Sequence, residues 1–306
     1  MKVALIGGTG FVGAYLVEAL LGAGHEVSLL VRSGSEQKIA SASACRVING
    51  DLADKQALAE TLAGNDAVVY NVGILREFPR QGITFEDSQY RGVTDTITAA
   101  KEAGIRRLLL MSANGVKQPG TRYQETKYRA EQAALESGLD VTIFAPSVVF
   151  GDPDGKMEFA TQLYQEMIRP PLPAVGFHTG WKPSTGPLLM SPVHVRDVAD
   201  AFVRALEDPA TSGKRFALGG PEVLSWQEML RRIAAAAGKR KWILPMPVAL
   251  MKMGATLFDW LPFFPVTRDQ LTMLAEGNTA DPATLQGLIG REPLPFTAEN
   301  LAYLQG

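Results

Sequence analysis

The sequence predicts an α/β chain, a doubly wound parallel sheet with a smaller, mainly helical C-terminal lobe. Three observations predict it. An apolar run at the N-terminus, Val3–Ile6, ends in glycines and passes into an apolar helical pattern. Strand-like and helical segments then alternate through the first half of the chain. The strand-like segments are near-continuous Val, Ile and Leu, the pattern of strands buried on both faces.

The elements follow in order. Strands are expected at Val3–Ile6, Val27–Val31, Arg46–Ile48, Ala67–Tyr70, Leu108–Met111 and Val141–Phe144, and helices near Phe11–Leu21, Lys55–Leu62, Glu86–Ala103 and Arg122–Ser137. Right-handed crossovers put the C-terminal end of every such strand on one edge of the sheet, where ligands bind. After Gly151 the texture changes: residues 169–192 hold six prolines and three glycines and read as a long loop. The helical pattern Val195–Glu207 and the strand-like Arg215–Leu218 return to the sheet. Further helices are expected at Trp226–Ala237, Val248–Leu261, Arg268–Glu276 and Ala298–Tyr303, with Ser225 and Glu228 as a capping box. The expected division is a dinucleotide-binding domain of residues 1–151, joined by 193–220, and a substrate lobe of 152–192 and 221–306.

Bulk properties narrow the function. The chain has 306 residues and a net charge of −2, so nothing global favours nucleic acid. Cys45 is the one cysteine; it excludes an internal disulfide, fits a reducing cytoplasm, and lies in a strand-like segment where it should be buried and inert. No signal peptide is expected ahead of the first strand, and no apolar run approaches the roughly 18 residues of a membrane span. His25, His178 and His194 show no ligand spacing, so no metal is expected, and His194 reads as structural.

The glycines carry the strongest signal. Gly8, Gly10 and Gly13 fit G-x-G-x-x-G, and Gly7, Gly10 and Gly13 fit G-x-x-G-x-x-G. Between a strand and a helix this is the Rossmann phosphate turn, and residues Gly7, Gly8, Thr9, Gly10, Phe11, Val12 and Gly13 should cradle a pyrophosphate at the helix N-terminus. After the second strand, Arg32 stands where an NAD site carries an acid; it suits a 2′-phosphate, with Ser33 as a second donor, so NADP(H) is favoured over NAD(H). Asp51 and Leu52 follow the third strand, where a carboxylate can accept from the adenine amino group. Asn71, Val72 and Gly73 follow the fourth, beside the adenosine ribose. After the fifth comes Ser112-Ala-Asn114, then Tyr123 and Lys127 at i, i+4 on one helix face. A lysine so placed would lower the phenol's pKa toward the working range of an acid–base catalyst.

Taken in order, these features resemble the short-chain dehydrogenase/reductase superfamily, in its extended or atypical form. Phe144–Gly151 resembles that family's segment beside the nicotinamide and implies cofactor contacts at Pro146, Ser147 and Val148. Val193–Ala199 and Phe216–Pro221 with Ser225–Glu228 resemble two later signatures. Tyr70–Leu75, Phe216–Glu222 and Leu261–Leu271 make the chain similar to the NADPH-binding accessory subunit of respiratory complex I and its bacterial relatives, which implies tight NADPH binding and a structural or sensing role. The resemblance departs at Ala145, where an arginine is usual. It departs again at Asn114, where extended members often place the catalytic serine, so either Ser112 or Asn114 would orient the reacting group.

Three functions therefore stand. The first is an NADP(H)-dependent oxidoreductase, with Tyr123 as general acid/base, Lys127 holding the ribose, and an unidentified small-molecule substrate. The second is a non-catalytic NADPH-binding module. The third is a nucleotide-sugar epimerase or dehydratase. The apolar stretch Met246–Trp260 behind Lys239-Arg-Lys241 reads either as packing of the C-terminal lobe or as a peripheral docking element for a membrane surface or protein complex.

Overall fold

The computed structural model describes residues 1–180, 182, 185–251 and 268–305. They fall into two compact units, one of Met1–Pro146, Val195–Ala217 and Gly287–Gly290, the other of Ser147–His194, Leu218–Gln286 and Arg291–Gly306.

The first unit is a doubly wound sheet. Its strands are β1 (Lys2–Ile6), β2 (Glu26–Val31), β3 (Arg46–Asn49), β4 (Ala67–Tyr70), β5 (Arg107–Met111), β6 (Asp140–Pro146) and β7 (Lys214–Leu218), in the order β7-β6-β5-β4-β1-β2-β3. Helices α1 (Phe11–Gly22), α2 (Lys55–Leu62), α3 (Gly92–Glu102), α4 (Arg122–Leu135) and α5 (Val195–Glu207) connect and cover it. Strands β1 to β6 pair in parallel, and Ile6, Leu30 and Tyr70 stand side by side in register. Alternate strand residues feed opposite faces. Ala4, Ile6, Val68, Tyr70, Leu108 and Leu110 share one core with α2, α3 and α4. On the other face Phe144 meets Phe202 of α5 at 4.5 Å between ring centroids. Each fully buried Val, Leu or Ile contributes roughly 1.5–3 kcal/mol, so a sheet buried on both sides is self-sustaining.

The strand order reverses between β1 and β4. Their C-terminal ends are the switch point where such sheets bind ligands.

The expected single helix over Glu86–Ala103 is two pieces, a π-helical turn at Glu86–Arg91 followed by α3. Tyr70 causes the change. Its buried hydroxyl donates to the Ser88 carbonyl at 2.6 Å, and it lies so close to Gly92 that a Cβ there would overlap the hydroxyl. Cys45 precedes β3 rather than lying in it; it is half-buried, with Sγ 3.5 Å from the Ser41 carbonyl.

The second unit packs Phe150, Phe177, Trp226, Met229, Leu230 and Phe296 into its own core. The expected long loop of 169–192 hides a strand, Ala174–His178, paired in parallel with another at Ile243–Pro247. Pro173 stands immediately before the first strand and Pro245 and Pro247 lie within the second, which masks their short apolar runs. Ser225 caps the helix Trp226–Ala236 by accepting from the Glu228 N–H at 3.2 Å. The Glu228 carboxylate pairs instead with Arg231 and Arg232 at 3.3 Å, so half of the expected capping box forms. His194 stacks edge-on against Phe150 at 5.1 Å. The end of the chain forms a 3-10 turn at Ala302–Gln305, not a helix over Ala298–Tyr303. Of the expected helix Val248–Leu261, residues 252–261 lie outside the described residues, as does most of the resemblance at Leu261–Leu271.

Candidate functional site

The first unit gathers most of the sequence-derived residues on the C-terminal edge of its sheet. Gly7 leaves β1 with φ +97°, a backbone that side-chain-bearing residues rarely adopt, and a Cβ there would lie 2.8 Å from the backbone of Asn71. At Gly13 a Cβ would overlap the Gly7 carbonyl oxygen and lie 2.8 Å from the Gly8 Cα, so helix and turn touch backbone to backbone. Gly8 packs toward Leu29. Gly10 differs: it is exposed, and the nearest atom to its Cβ would be the Gly7 carbonyl oxygen at 3.7 Å. Gly10 is also the N-cap of α1, which has no side-chain cap and no acidic residue in its first turn. The first-turn amides of α1, beside Thr9, Phe11 and Val12, therefore suit an anion, and no acidic residue stands in that turn. The glycines that the packing requires are Gly7, Gly8 and Gly13; Gly10 is not held by any close contact.

Around this turn the strand ends supply polar groups. Arg32 and Ser33 are exposed just past β2, and Arg32 has no carboxylate partner among the described residues. Asp51 Oδ1 accepts from the N–H groups of Ala53 at 2.9 Å and Asp54 at 3.2 Å, which holds its carboxylate at the exposed edge, while Leu52 packs on the core. Asp54 is the N-cap of α2. Asn71 donates its N–H to Ile6 and its side-chain amide to Gly7, at 2.8 and 3.4 Å, so it braces the glycine turn. Val72 packs on the core, and at Gly73 a Cβ would lie 3.7 Å from Lys127 Nζ.

Tyr123, Lys127 and Ser112 are all buried, at 9%, 5% and 6% exposure. The capping box of Thr121 and Gln124 starts α4 immediately ahead of Tyr123 and fixes where the pair projects. Lys127 Nζ donates to the Met111 carbonyl at 3.3 Å and lies 5.9 Å from the centre of the Tyr123 ring. No hydrogen bond joins it to the Tyr123 hydroxyl among the described residues.

The electrostatics correct one expectation. Burial pushes the Tyr123 phenol well above its usual range, and nothing offsets that, so Lys127 does not lower it here. Lys127 is itself brought down to about 8 by burial, against the attraction of Glu131. The Ser112 hydroxyl is buried without a hydrogen-bond partner among the described residues, and Ser112 and Lys127 share the lining of a cavity of about 10 Å³ with Gln89. Asn114 is half-buried, and its N–H donates to the Pro146 carbonyl at 2.9 Å.

Ser147 and Val148 belong to the second unit. The Ser147 hydroxyl donates to the Asn278 carbonyl at 2.7 Å, and Val148 packs on that unit's core, so both side chains have structural tasks.

Sequence reasoning missed two contributors. Gln89, which lines the same cavity as Lys127, bridges Ile74 and Thr126: its side-chain amide donates to the Ile74 carbonyl at 2.9 Å and its Oε1 accepts from the Thr126 hydroxyl at 3.1 Å. Arg215 binds Glu131 at 2.9 Å and the Ala113 carbonyl at 3.2 Å, tying the loop after β5 to α4. Neither left a signal in the sequence: Arg215 reaches Glu131 across 84 positions, and Gln89 depends on the π-helical turn.

Comparison with known proteins gives the family. A family model described as NAD(P)H-binding matches residues 7–169. The chain is 28% identical over 294 residues to NADH dehydrogenase [ubiquinone] 1 alpha subcomplex subunit 9, mitochondrial, of Arabidopsis thaliana, covering 92% of this chain and 70% of that protein. It is also 28% identical to sterol demethylase protein B of Methylococcus capsulatus, over 87% of this chain and 84% of that one. Among solved structures, a nucleoside-diphosphate-sugar epimerase from Pseudomonas aeruginosa matches with a TM-score of 0.75 and 20% identity, over 99% of this chain and 96% of that one. This last likeness is one of fold.

Proposed function

Because the chain belongs to the NAD(P)H-binding family, in the extended or atypical short-chain dehydrogenase/reductase superfamily, we propose that it binds NADP(H) and reduces a carbonyl-type substrate. One observation carries the chemical half of this reading. Two ionisable side chains and an unpartnered hydroxyl are buried together at the end of β5, where folding alone would favour apolar residues.

Each residue takes a defined task. The Gly7–Gly13 turn and the α1 amides receive the pyrophosphate, Arg32 and Ser33 the 2′-phosphate, and Asp51, Leu52, Asn71, Val72 and Gly73 the adenosine half. Lys127 holds the nicotinamide ribose. When bound, the nicotinamide supplies the hydride. Tyr123 keeps its proton at neutral pH, as its raised pKa ensures, and gives it to the substrate oxygen as negative charge develops there. Ser112 or Asn114 donates to that same oxygen. A phenol is protonated at neutral pH and so can give a proton but not take one, which is why reduction is the proposed direction, although burial makes the donation harder.

A second reading, a binding module without turnover, is favoured by the missing hydrogen bond between Lys127 and Tyr123. The name of the Arabidopsis relative, a subunit of a larger enzyme, supports it too. One set of measurements decides. NADPH oxidation is followed against quinones, aldehydes and sugar nucleotides, beside calorimetric NADPH binding. Tyr123→Phe is expected to lose at least about a hundredfold in turnover, the scale of one general acid, with NADPH affinity unchanged. Tight binding with no turnover in the parent selects the binding module. Arg32→Ala is expected to weaken NADPH about tenfold or more and to leave NADH unchanged; equal losses for both cofactors overturn the NADP(H) preference.

A further inference from the structure

The second unit carries a surface that takes no part in the cofactor site. Residues Ile168–Pro173 and Lys239–Trp242 line a groove of about 440 Å³. Four cations line it, Arg169, Lys239, Arg240 and Lys241, and no carboxylate does. In a chain of net charge −2 this is a local concentration of positive charge. Lys241 holds the walls together: its ammonium donates to the carbonyls of Ile168, at 2.9 Å, and Pro170. Lys239 lies over the Tyr164 ring at 5.1 Å. Arg169 and Arg240 are exposed to solvent.

The rim of the groove is apolar where it should not be. Trp242 is 80% exposed and Leu172 71%. Trp242 leads into the strand Ile243–Pro247, along which Ile243 turns to the core and Leu244 is again exposed. A surface strand alternates inward apolar with outward polar residues. Here the outward positions, Trp242 and Leu244, are apolar as well.

We infer that this face docks the protein on an anionic lipid bilayer. Trp242, Leu172 and Leu244 enter the boundary between headgroups and acyl chains, and Arg169, Lys239 and Arg240 face the lipid phosphates. An indole is favoured at that boundary, where its ring is in an apolar layer and its N–H in a wet one. Cations within a few ångströms of the surface gain from its negative potential. Nucleic acid or a soluble phosphate would engage the cations but would leave three outward apolar side chains in water. A bilayer uses both sets at once.

The test is flotation of the full chain with phosphatidylcholine vesicles, alone and with about a third phosphatidylglycerol, at physiological and at high salt. Binding is expected only to the anionic vesicles and is expected to weaken with salt. Replacing both Lys239 and Arg240 by alanine should reduce partitioning about thirtyfold, roughly a factor of five for each cation. Trp242→Ala with Leu172→Ala should reduce it about tenfold or more and leave the salt dependence in place. All four positions are exposed or at the groove wall, so the thermal midpoint of each variant should match the parent. Failure to float with anionic vesicles, equal binding to neutral ones, or parent-like binding by the Lys239/Arg240 variant overturns the inference. So does cation-dependent binding of an oligonucleotide or polyphosphate by a protein that ignores vesicles.

Discussion

Gly10 and Gly13 are three residues apart and have opposite tasks. A methyl group on Gly13 collides with the Gly7 carbonyl, so Gly13→Ala must push α1 off the sheet and should lower the thermal midpoint sharply. A methyl on Gly10 makes only an ordinary contact, 3.7 Å from the Gly7 carbonyl oxygen. Gly10→Ala should cost about 1 kcal/mol or less of stability, yet weaken NADPH at least about tenfold, because the methyl stands where a phosphate would approach. Parallel melting and binding curves separate the two effects. Lys127 gives a prediction with a pH signature. Its folded pKa of about 8 lies below the ordinary 10.5, so between those values the unfolded chain holds the extra proton and stability rises with pH. Lys127→Met should therefore be more stable than the parent at pH 7, by up to roughly 3 kcal/mol, and the difference should shrink as pH rises past about 8 and be lost only above the ordinary 10.5. Urea denaturation across that range would show it; a constant difference would contradict it. Ser112→Ala should likewise be neutral or stabilising, since it removes a buried hydroxyl without a partner. At this scale the residue identities were legible and their ionisation was not. Tyr123 and Lys127 could be paired from spacing, but the upward shift of the phenol depends on burial that only tertiary packing creates.

At the scale of elements, hydrophobic runs located the six parallel strands and the helices between them, because strands buried on both faces have a dense apolar signature. Two features escaped. The π-helical turn at Glu86–Arg91 arises from the Tyr70 hydroxyl pressing on Gly92, a contact between residues 22 positions apart. The strand Ala174–His178 was lost among prolines and is revealed by its pairing with Ile243–Pro247. One cap now has a measurable weight. Thr121 accepts from the Gln124 N–H and Gln124 reaches back to the Thr121 N–H at 2.9 Å. Thr121→Ala should cost about 1 kcal/mol and, because Tyr123 sits in the first turn of α4, should perturb that side chain before any other part of the site.

At the scale of the molecule, the chain builds its first unit from pieces far apart in sequence. The strands β1 to β6 are complete at Pro146, but α5 and β7 arrive only with residues 195–217. In the interval, Phe144 lacks its Phe202 and Phe216 neighbours, and α1 lacks the helix it packs on. The family match ends at residue 169, short of those covering elements. No helix among the described residues is long and apolar enough to cross a membrane. The consequence concerns synthesis on the ribosome. A nascent chain of about 150 residues has strands β1 to β6 yet leaves one flank of their sheet bare for as long as the next 70 or so residues take to emerge, several seconds at ordinary elongation rates. During that delay the flank is sticky, and chaperone engagement should peak there and fall once β7 has cleared the exit tunnel.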